Sequence, residues 1–533
     1  MRYSVFFLAV LSCLLLLVLT SCSRAGGNKH KGEKEARFYL QICPLSLDPR
    51  IGGNRMSSNV TRLLFEGLFR INPKGEHEPA LAKTVSISED QRTYIFTLHP
   101  SKWANGEELT AHDFEYAWKT ILDSSFPSSY AYMFYSIKNA QKAYIGKCSR
   151  DDVGIKALDS HTLQVVLENP TPYFLEILAN PLYSPVCRSC CKNENWATTD
   201  FPNFVSNGPY ILKKHDLNSK IILEKNPLYW NSCPTKMDRI SFTIVEDPLT
   251  AYNMLCSGDL DWFGEPCGSI PLNMINGLNP SSLHKEEIGQ CTWLECQVET
   301  PPLNSQFVRK AIACAIERNA ICDQLLGCEE TPAASLIAKS LSNLPAPTFK
   351  NGDVQEARRL FEKGLSELGY TQETCPPITI TYATNQTLQA IVSLIQKQLE
   401  NALGVTVLLN ECDYNTFLKR SFVGDFQVRL CDWFSLYHDA MYTLNCFKHK
   451  ESGMNGPLWE DALYIEFLDK AEAAADPKER QKYMQQAEDR IMTQLPVIPV
   501  IYKKYKYLKS DHLCGESLSP IGQMEFKWIE KTG

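Results

Sequence analysis

The residues best equipped for chemistry in this chain are its cysteines. There are 20 among 533 residues, and Cys187, Cys190 and Cys191 form a C-x-x-C-C cluster. Thiolates are soft ligands of the kind zinc takes, but a structural zinc site needs four donors. No second cysteine pair and no H-x-x-x-H stands at finger-like spacing, so the cluster is expected to be disulfide-bonded or buried as free thiols, with no metal. The ten histidines are scattered singly, and none pairs with a cysteine or serine at a spacing that activates a nucleophile. G-x-S-x-G, H-E-x-x-H and G-x-G-x-x-G do not occur. Gly27 to Gly32 approaches a phosphate-binding loop, but Glu33 stands where the lysine belongs and no strand precedes it. Carboxylates are plentiful, yet a glycosidase pair is set by fold geometry rather than spacing. These residues predict no enzyme and no cofactor, with a hydrolase whose acids only the fold brings together as a remote alternative.

Composition narrows the field further. The chain is 44% hydrophobic, 11% aromatic and 22% charged, with net charge −7, which excludes a disordered protein. No basic stripe invites nucleic acid, and a mean hydropathy of −0.24 excludes a polytopic membrane protein. Only the start departs from this. Arg2 precedes an apolar run from Val5 to Leu19; about 15 apolar residues suit a signal peptide and are short for a membrane span. The run ends Leu19-Thr20-Ser21-Cys22, which resembles the bacterial lipoprotein cleavage box. It implies a signal peptide at 1–21, lipidation of Cys22 and attachment to a membrane. The lysine- and glycine-rich stretch to residue 35 reads as a flexible tether. The remaining cysteines then face an exported, oxidising compartment where disulfides are plausible, but spacing does not give their pairing.

The elements that must position any site alternate along the chain. Strands are expected at Ala36–Cys43, Thr93–Leu98, Thr162–Leu167, from Gly208, within 219–232 and at 404–409. Asn59–Leu68 has helical spacing. Thr110 and Asp113 read as the cap of a helix burying Phe114, Ala117, Trp118 and Ile121. Further helices are expected from about Ser305, at 354–368, at 386–403, and from Asp476-Pro477 to Thr493, with Glu479 completing a cap and Pro496 stopping it. The class is α/β with mixed sheets, without internal repeats.

Several of these segments together resemble family 5 of the bacterial extracellular solute-binding proteins, the receptors of peptide-type ABC importers. The stretch Trp103-Ala104-Asn105-Gly106-Glu107-Glu108-Leu109-Thr110-Ala111-His112-Asp113-Phe114 is its most specific motif. Leu47-Asp48-Pro49, Leu64-Phe65-Glu66-Gly67-Leu68, Asn207-Gly208-Pro209-Tyr210, Asn226-Pro227-Leu228-Tyr229-Trp230, Val308-Arg309-Lys310-Ala311-Ile312, Leu403-Gly404-Val405 and Leu495-Pro496-Val497-Ile498-Pro499 extend it over nearly the whole exported chain. Within the family the likeness is greatest to oligopeptide binders. The resemblance implies a periplasmic-binding-protein-like fold of two large lobes and an inserted third. Lobe I would comprise 36–65, 206–300 and 506–533, lobe II 66–205, and lobe III 301–505. An extended peptide would lie between lobes I and III, which close on a hinge, and a permease in the inner membrane would receive it. The implied protein is a monomer at the periplasmic face, without nucleic-acid partners.

Most of that signature reads as structural, so ligand contacts must come from elsewhere. In the peptide binders an aspartate three residues after a lobe III tryptophan meets the ligand's α-ammonium. Here the tryptophan is Trp433 and the third residue after it is Leu436. An enclosed ammonium without a carboxylate loses several kcal/mol of solvation. Three accounts stand open: Asp432 or Asp439 supplies the charge, the amine faces water, or the ligand is N-blocked or a cell-wall fragment. Alternation along an unbroken strand would put Asp432 on the Leu436 face and Asp439 on the other. Trp433 and Tyr437 are candidate pocket walls, or core aromatics. Tyr130 stands where the family has a ligand-touching tyrosine. Asn385 would bond the ligand backbone or cap the next helix. Asn54, between Gly52 and Arg55, would form a lobe I lip. Arg429 would meet a ligand carboxylate, or lie solvated at the surface. The resemblance also implies a Cys291–Cys431 disulfide, with Cys431 displaced from the family position.

Overall fold

The computed structural model describes residues 34–44, 46–51, 55–128, 130–192, 196–216, 219–231, 235–275, 277–327, 330–341, 351–452, 454–474 and 476–532. The leader 1–21, Cys22, most of the tether and Asn54 lie outside these residues.

Strand β1 (Glu35–Leu40) buries Ala36, Phe38, Tyr39 and Leu40. Helix α1 (Arg55–Leu64) follows, four residues earlier at each end than the spacing predicts. It stops at Leu64, whose carbonyl accepts the Gly208 amide at 2.7 Å. A side chain on Gly208 would sit 2.5 Å from the Leu64 backbone, so the Asn-Gly-Pro-Tyr motif needs glycine there. A second, antiparallel sheet comprises β2 (Ala82–Ile87), β3 (Thr93–Leu98), β4 (Ile155–Asp159) and β5 (Thr162–Val166) in the order β2-β3-β5-β4. Between β3 and β4 runs α2 (Ala111–Ile121), capped by Asp113, which accepts the Thr110 amide at 2.8 Å. Short helix α3 (Phe174–Ile177) leads out of this body. Strands β6 (Tyr210–Asp216), β7 (Lys220–Lys225) and β8 (Arg239–Ile244) then complete the first sheet, β1-β8-β7-β6, with β1 parallel to β8 and the other pairs antiparallel.

The largest sheet combines distant segments: β9 (Trp262–Gly264), β10 (His284–Cys296), β11 (Ile378–Ala383), β12 (Val407–Cys412), β13 (Val428–Phe434) and β14 (Val497–Lys509), ordered β9-β14-β10-β13-β11-β12. Thr331–Pro332 adds to the β14 edge. Strands β11, β12 and β13 are parallel and the rest antiparallel, so the sheet is mixed. Around it pack α4 (Gln306–Ala315), α5 (Val354–Leu368), α6 (Gln386–Leu403), α7 (Tyr414–Phe422), α8 (Ala440–Asn445) and α9 (Pro477–Gln494). Helices α5 and α6 match their predicted limits because both ends are chemically marked. Asp353 and Asn385 cap their starts, and Gly369 and Gly404 end them in the left-handed region. Asp476 caps α9 through the Lys478 amide. Among the described residues no helix is long and apolar enough to cross a membrane.

The apolar side chains form two cores. One takes Ala36 through Leu283 and resumes near Tyr507; the other runs from Cys291 to Ile501. The chain passes between them within β10 and β14, the two thirteen-residue strands. Tyr437 and Tyr442 cross over to the first core, and Ile521 to the second.

The signature residues hold the first core together. Trp103 and Trp118 are buried, and Gly106 makes its turn at φ 90°. Glu66 forms a hub: it accepts the Tyr229 hydroxyl at 2.6 Å and Trp230 Nε1 at 2.5 Å, and pairs with Lys527 at 3.0 Å and Arg70 at 3.2 Å.

Candidate ligand-binding cleft

A cleft of about 1390 Å³ opens between the two cores. One wall is Gln41, Ile42 and Cys43 just past β1, the α1 face from Met56 to Arg62, and the turn Glu265–Ser269 after β9. The opposite wall is β13 with Ser435 and Leu436, the start of α6, and α7 residues Tyr414, Phe417, Leu418 and Ser421; Tyr130, Met133 and Asn180–Leu182 close one side.

Strand β13 supplies most of the predicted residues because it pairs directly with β10. Arg429 faces Glu295 across the ladder, and Asp432 faces Thr292. The Arg429 guanidinium reaches Glu295 at 2.6 Å and lies over Phe426 at 5.1 Å. Side-chain exposures of 12% and 1% make this a buried pair in the cleft wall, which corrects the expectation of a solvated arginine. Asp432 borders the cleft, accepts the Thr292 hydroxyl at 2.5 Å and lies 3.8 Å from Lys503. Trp433 stacks between Trp293 (5.4 Å) and Tyr442 (5.6 Å), with Nε1 donating to Thr443 Oγ1, and remains in contact with the cleft.

Beyond Phe434 the strand ends, so its alternation no longer governs side-chain direction. The Ser435 hydroxyl donates to the Tyr437 carbonyl and turns the chain. Leu436 borders the cleft. Tyr437 does not: it is buried and stacks on Tyr173 at 4.7 Å. Asp439 is also directed away from the cleft. It caps α8 through the Met441 amide and takes Arg480 on both oxygens at 2.8 and 2.9 Å. The same turn joins the two bodies, because Glu176 on α3 accepts the His438 amide. Burial pushes the Glu176 carboxyl up to about 7.

Tyr130 lines the cleft. Asn385 does two things: its Oδ1 caps α6 by accepting the Leu388 amide at 3.0 Å, and the residue borders the cleft. The expected Cys291–Cys431 disulfide is absent; both thiols are free. Cys291 faces Trp433 and Cys431 faces Trp293 in the ladder. The two tryptophans stack along one diagonal of this block, leaving the cysteines on the other, too far apart for the short Cα separation a disulfide requires. Cys187, Cys190 and Cys191 are likewise free, with the first two sulfurs 3.4 Å apart. Burial pushes the Cys187 and Cys191 thiols up to about 12. No group of three or more His, Cys, Asp or Glu among the described residues is arranged to hold a metal ion.

Sequence reasoning missed Glu265, Glu295 and the α7 face. Glu295 carried a usable signal, an acid inside the apolar run Cys291–Cys296. Glu265 carried none, since only the pairing of β9 with β14 brings it to the cleft. Gly264 enables that turn at φ 102°, with the Lys506 carbonyl only 2.3 Å from where a side chain would begin. Burial pushes the Glu265 carboxyl up to about 7, against the Lys506 amide and the Lys506 and Lys503 charges.

Comparison with known proteins agrees with this geometry. Residues 76–455 match the model for bacterial extracellular solute-binding proteins, family 5 Middle. The oligopeptide-binding protein OppA of Bacillus subtilis is 32% identical over 98% of both chains. The dipeptide-binding protein DppE of the same organism is 32% identical over 95% of this chain and 93% of its own. The solved structure of the Escherichia coli murein tripeptide binding protein MppA superposes with a TM-score of 0.80 at 27% identity, covering 94% of this chain and 99% of that one.

Proposed function

This chain belongs to family 5 of the bacterial extracellular solute-binding proteins, and from that premise we propose that it captures oligopeptides in the cleft and delivers them to an ABC permease without chemical change. The observation that carries this is the cleft itself. At about 1390 Å³ it exceeds the ~300–1,000 Å³ of ordinary small-molecule sites, and the backbone of β13 runs along its wall. An extended peptide of several residues fits that space, with main-chain hydrogen bonds supplying affinity and varied side chains tolerated. The first core would form lobes I and II and the second lobe III, closing through β10 and β14. Lipidation at Cys22 would hold the monomer at the periplasmic face of a membrane.

A second reading has its own support. Leu436 offers no charge where an amine-binding aspartate is expected, and a structural relative carries murein tripeptide in its name. Peptides with a modified N-terminus, or cell-wall fragments, would suit such a site. Mass spectrometry of small molecules released by unfolding the purified protein tests both. Mixed linear peptides are expected; release of muropeptides alone would favour the second reading, and release of non-peptide solutes alone would contradict both. Cleavage of an added peptide would point instead to an envelope hydrolase.

A further inference from the structure

Five charged side chains gather beside the cleft where the two cores meet, and their charges do not cancel. Lys506 on β14 places Nζ 2.5 Å from Glu330, and both are buried. Lys503 on the same strand lies 3.8 Å from Asp432, whose other oxygen takes the Thr292 hydroxyl. Glu265 receives the Lys506 amide on Oε2 at 2.8 Å and borders the cleft. Three carboxylates against two ammoniums leave one negative charge unmatched. Among the described residues the Tyr39 phenol on β1 also faces Glu265, with the Cys267 thiol beyond it in the same turn, and burial keeps both protonated near neutral pH. The other buried acids of the cleft wall are matched, Asp48 by Arg50 at 2.7 Å and Glu295 by Arg429.

We propose that Glu265 is the receptor for a cationic group of the ligand, an ammonium bound from the wall opposite Leu436. The proposal rests on the peptide reading for the source of that ammonium, either an α-amine or a lysine-type side chain. An ammonium set against Glu265 closes the charge count of the cluster and replaces solvation lost by both groups. It also favours the ionised carboxylate. Since burial raises the carboxyl in the empty site, capture of an ammonium shifts it toward the ionised form and releases proton to solvent.

The test is isothermal titration calorimetry at pH 7 in buffers of different ionisation heat, on protein stripped of co-purified ligand by partial unfolding. The probes are Ala-Ala-Ala, N-acetyl-Ala-Ala-Ala, N-acetyl-Ala-Lys-Ala and cadaverine. At least one cationic probe should bind about 10- to 100-fold more tightly than N-acetyl-Ala-Ala-Ala, with net proton release. Glu265→Gln should abolish both the preference and the release. Glu265→Asp, which keeps the charge, should retain part of the preference, and urea unfolding establishes that both variants fold. Preference for Ala-Ala-Ala assigns the α-amine as the source; preference for N-acetyl-Ala-Lys-Ala assigns the side chain. Equal affinity for charged and neutral peptides, or a preference that survives Glu265→Gln, overturns the proposal and leaves peptide binding standing. Glu265-dependent binding of cadaverine alone upholds the cation receptor and removes the peptide reading. Silence from all four probes overturns both.

Discussion

The protein contains two ionic clusters, one centred on the buried Glu66 and one beside the cleft around Glu265, and they differ in how their charges balance. Around Glu66, three carboxylates (Glu66, Glu78, Glu525) meet three cations (Arg62, Arg70, Lys527), and Tyr229 and Trp230 complete the hydrogen bonding. Burial alone would raise the Glu66 carboxyl, but Lys527, Arg70 and the two hydrogen bonds overcome it and hold it at about 2. Around Glu265 the ammoniums are engaged elsewhere, and burial prevails. The same residue type is pushed in opposite directions by its surroundings. A closed cluster holds the fold together, whereas an open one beside a cleft leaves a charge for a ligand to meet.

The sharpest way to break this contrast is to open the closed cluster. Glu66→Ala leaves Arg70 and Lys527 buried with fewer partners and should destabilise the protein by about 3–5 kcal/mol in urea unfolding. Peptide affinity of the folded fraction should not change.

The pH dependence of stability should separate the clusters with opposite signs. Glu66 is depressed in the folded protein, so its contribution is fully present above about 4.5, its ordinary value, and is lost as pH falls toward about 2. Glu265 is raised, so its cost is absent below about 4.5, grows as pH rises toward 7, and is constant above. Relative to wild type, Glu265→Gln should therefore gain about 1–3 kcal/mol between pH 4.5 and 8 in denaturant melts. A parallel pair of curves would contradict the assignment.

The smallest effect concerns Cys291 and Cys431. A disulfide between them would contribute about 2–4 kcal/mol. Because tryptophan stacking holds the thiols apart, adding reductant should leave the unfolding midpoint unchanged, and thiol titration under denaturing conditions should find both reactive.

What the sequence revealed follows the same division. Elements bounded by local chemistry were legible: α5 and α6 begin at Asp353 and Asn385 and end at Gly369 and Gly404. The structural weight of Trp103, Trp118 and Glu66 was legible through their motifs. Within the cleft, Asp432, Trp433, Leu436, Tyr130, Asn385 and Arg429 were found, because one short strand and a few loop positions carry them. Of the two readings open for Tyr437 the structure takes the core one. Asp439 lies away from the cleft, the side opposite Asp432 that alternation gave it, although the strand ends at Phe434 and the Ser435 turn sets the direction there. Alpha1 was displaced because a contact from Gly208, far along the chain, sets its end. Glu265 was invisible for a related reason: its meaning arises only when β9 pairs with β14 and brings Lys503, Lys506 and Glu330 around it.

If the cleft binds peptides, a peptide must stabilise the folded protein. Thermal unfolding of ligand-stripped protein lacking the lipid anchor, with and without tri- to pentapeptides, tests it most directly. A bound peptide at 100 times its Kd should stabilise the protein by about 2.7 kcal/mol and raise the transition accordingly. A transition that no peptide of any length moves, while a non-peptide solute does move it, would contradict the claim.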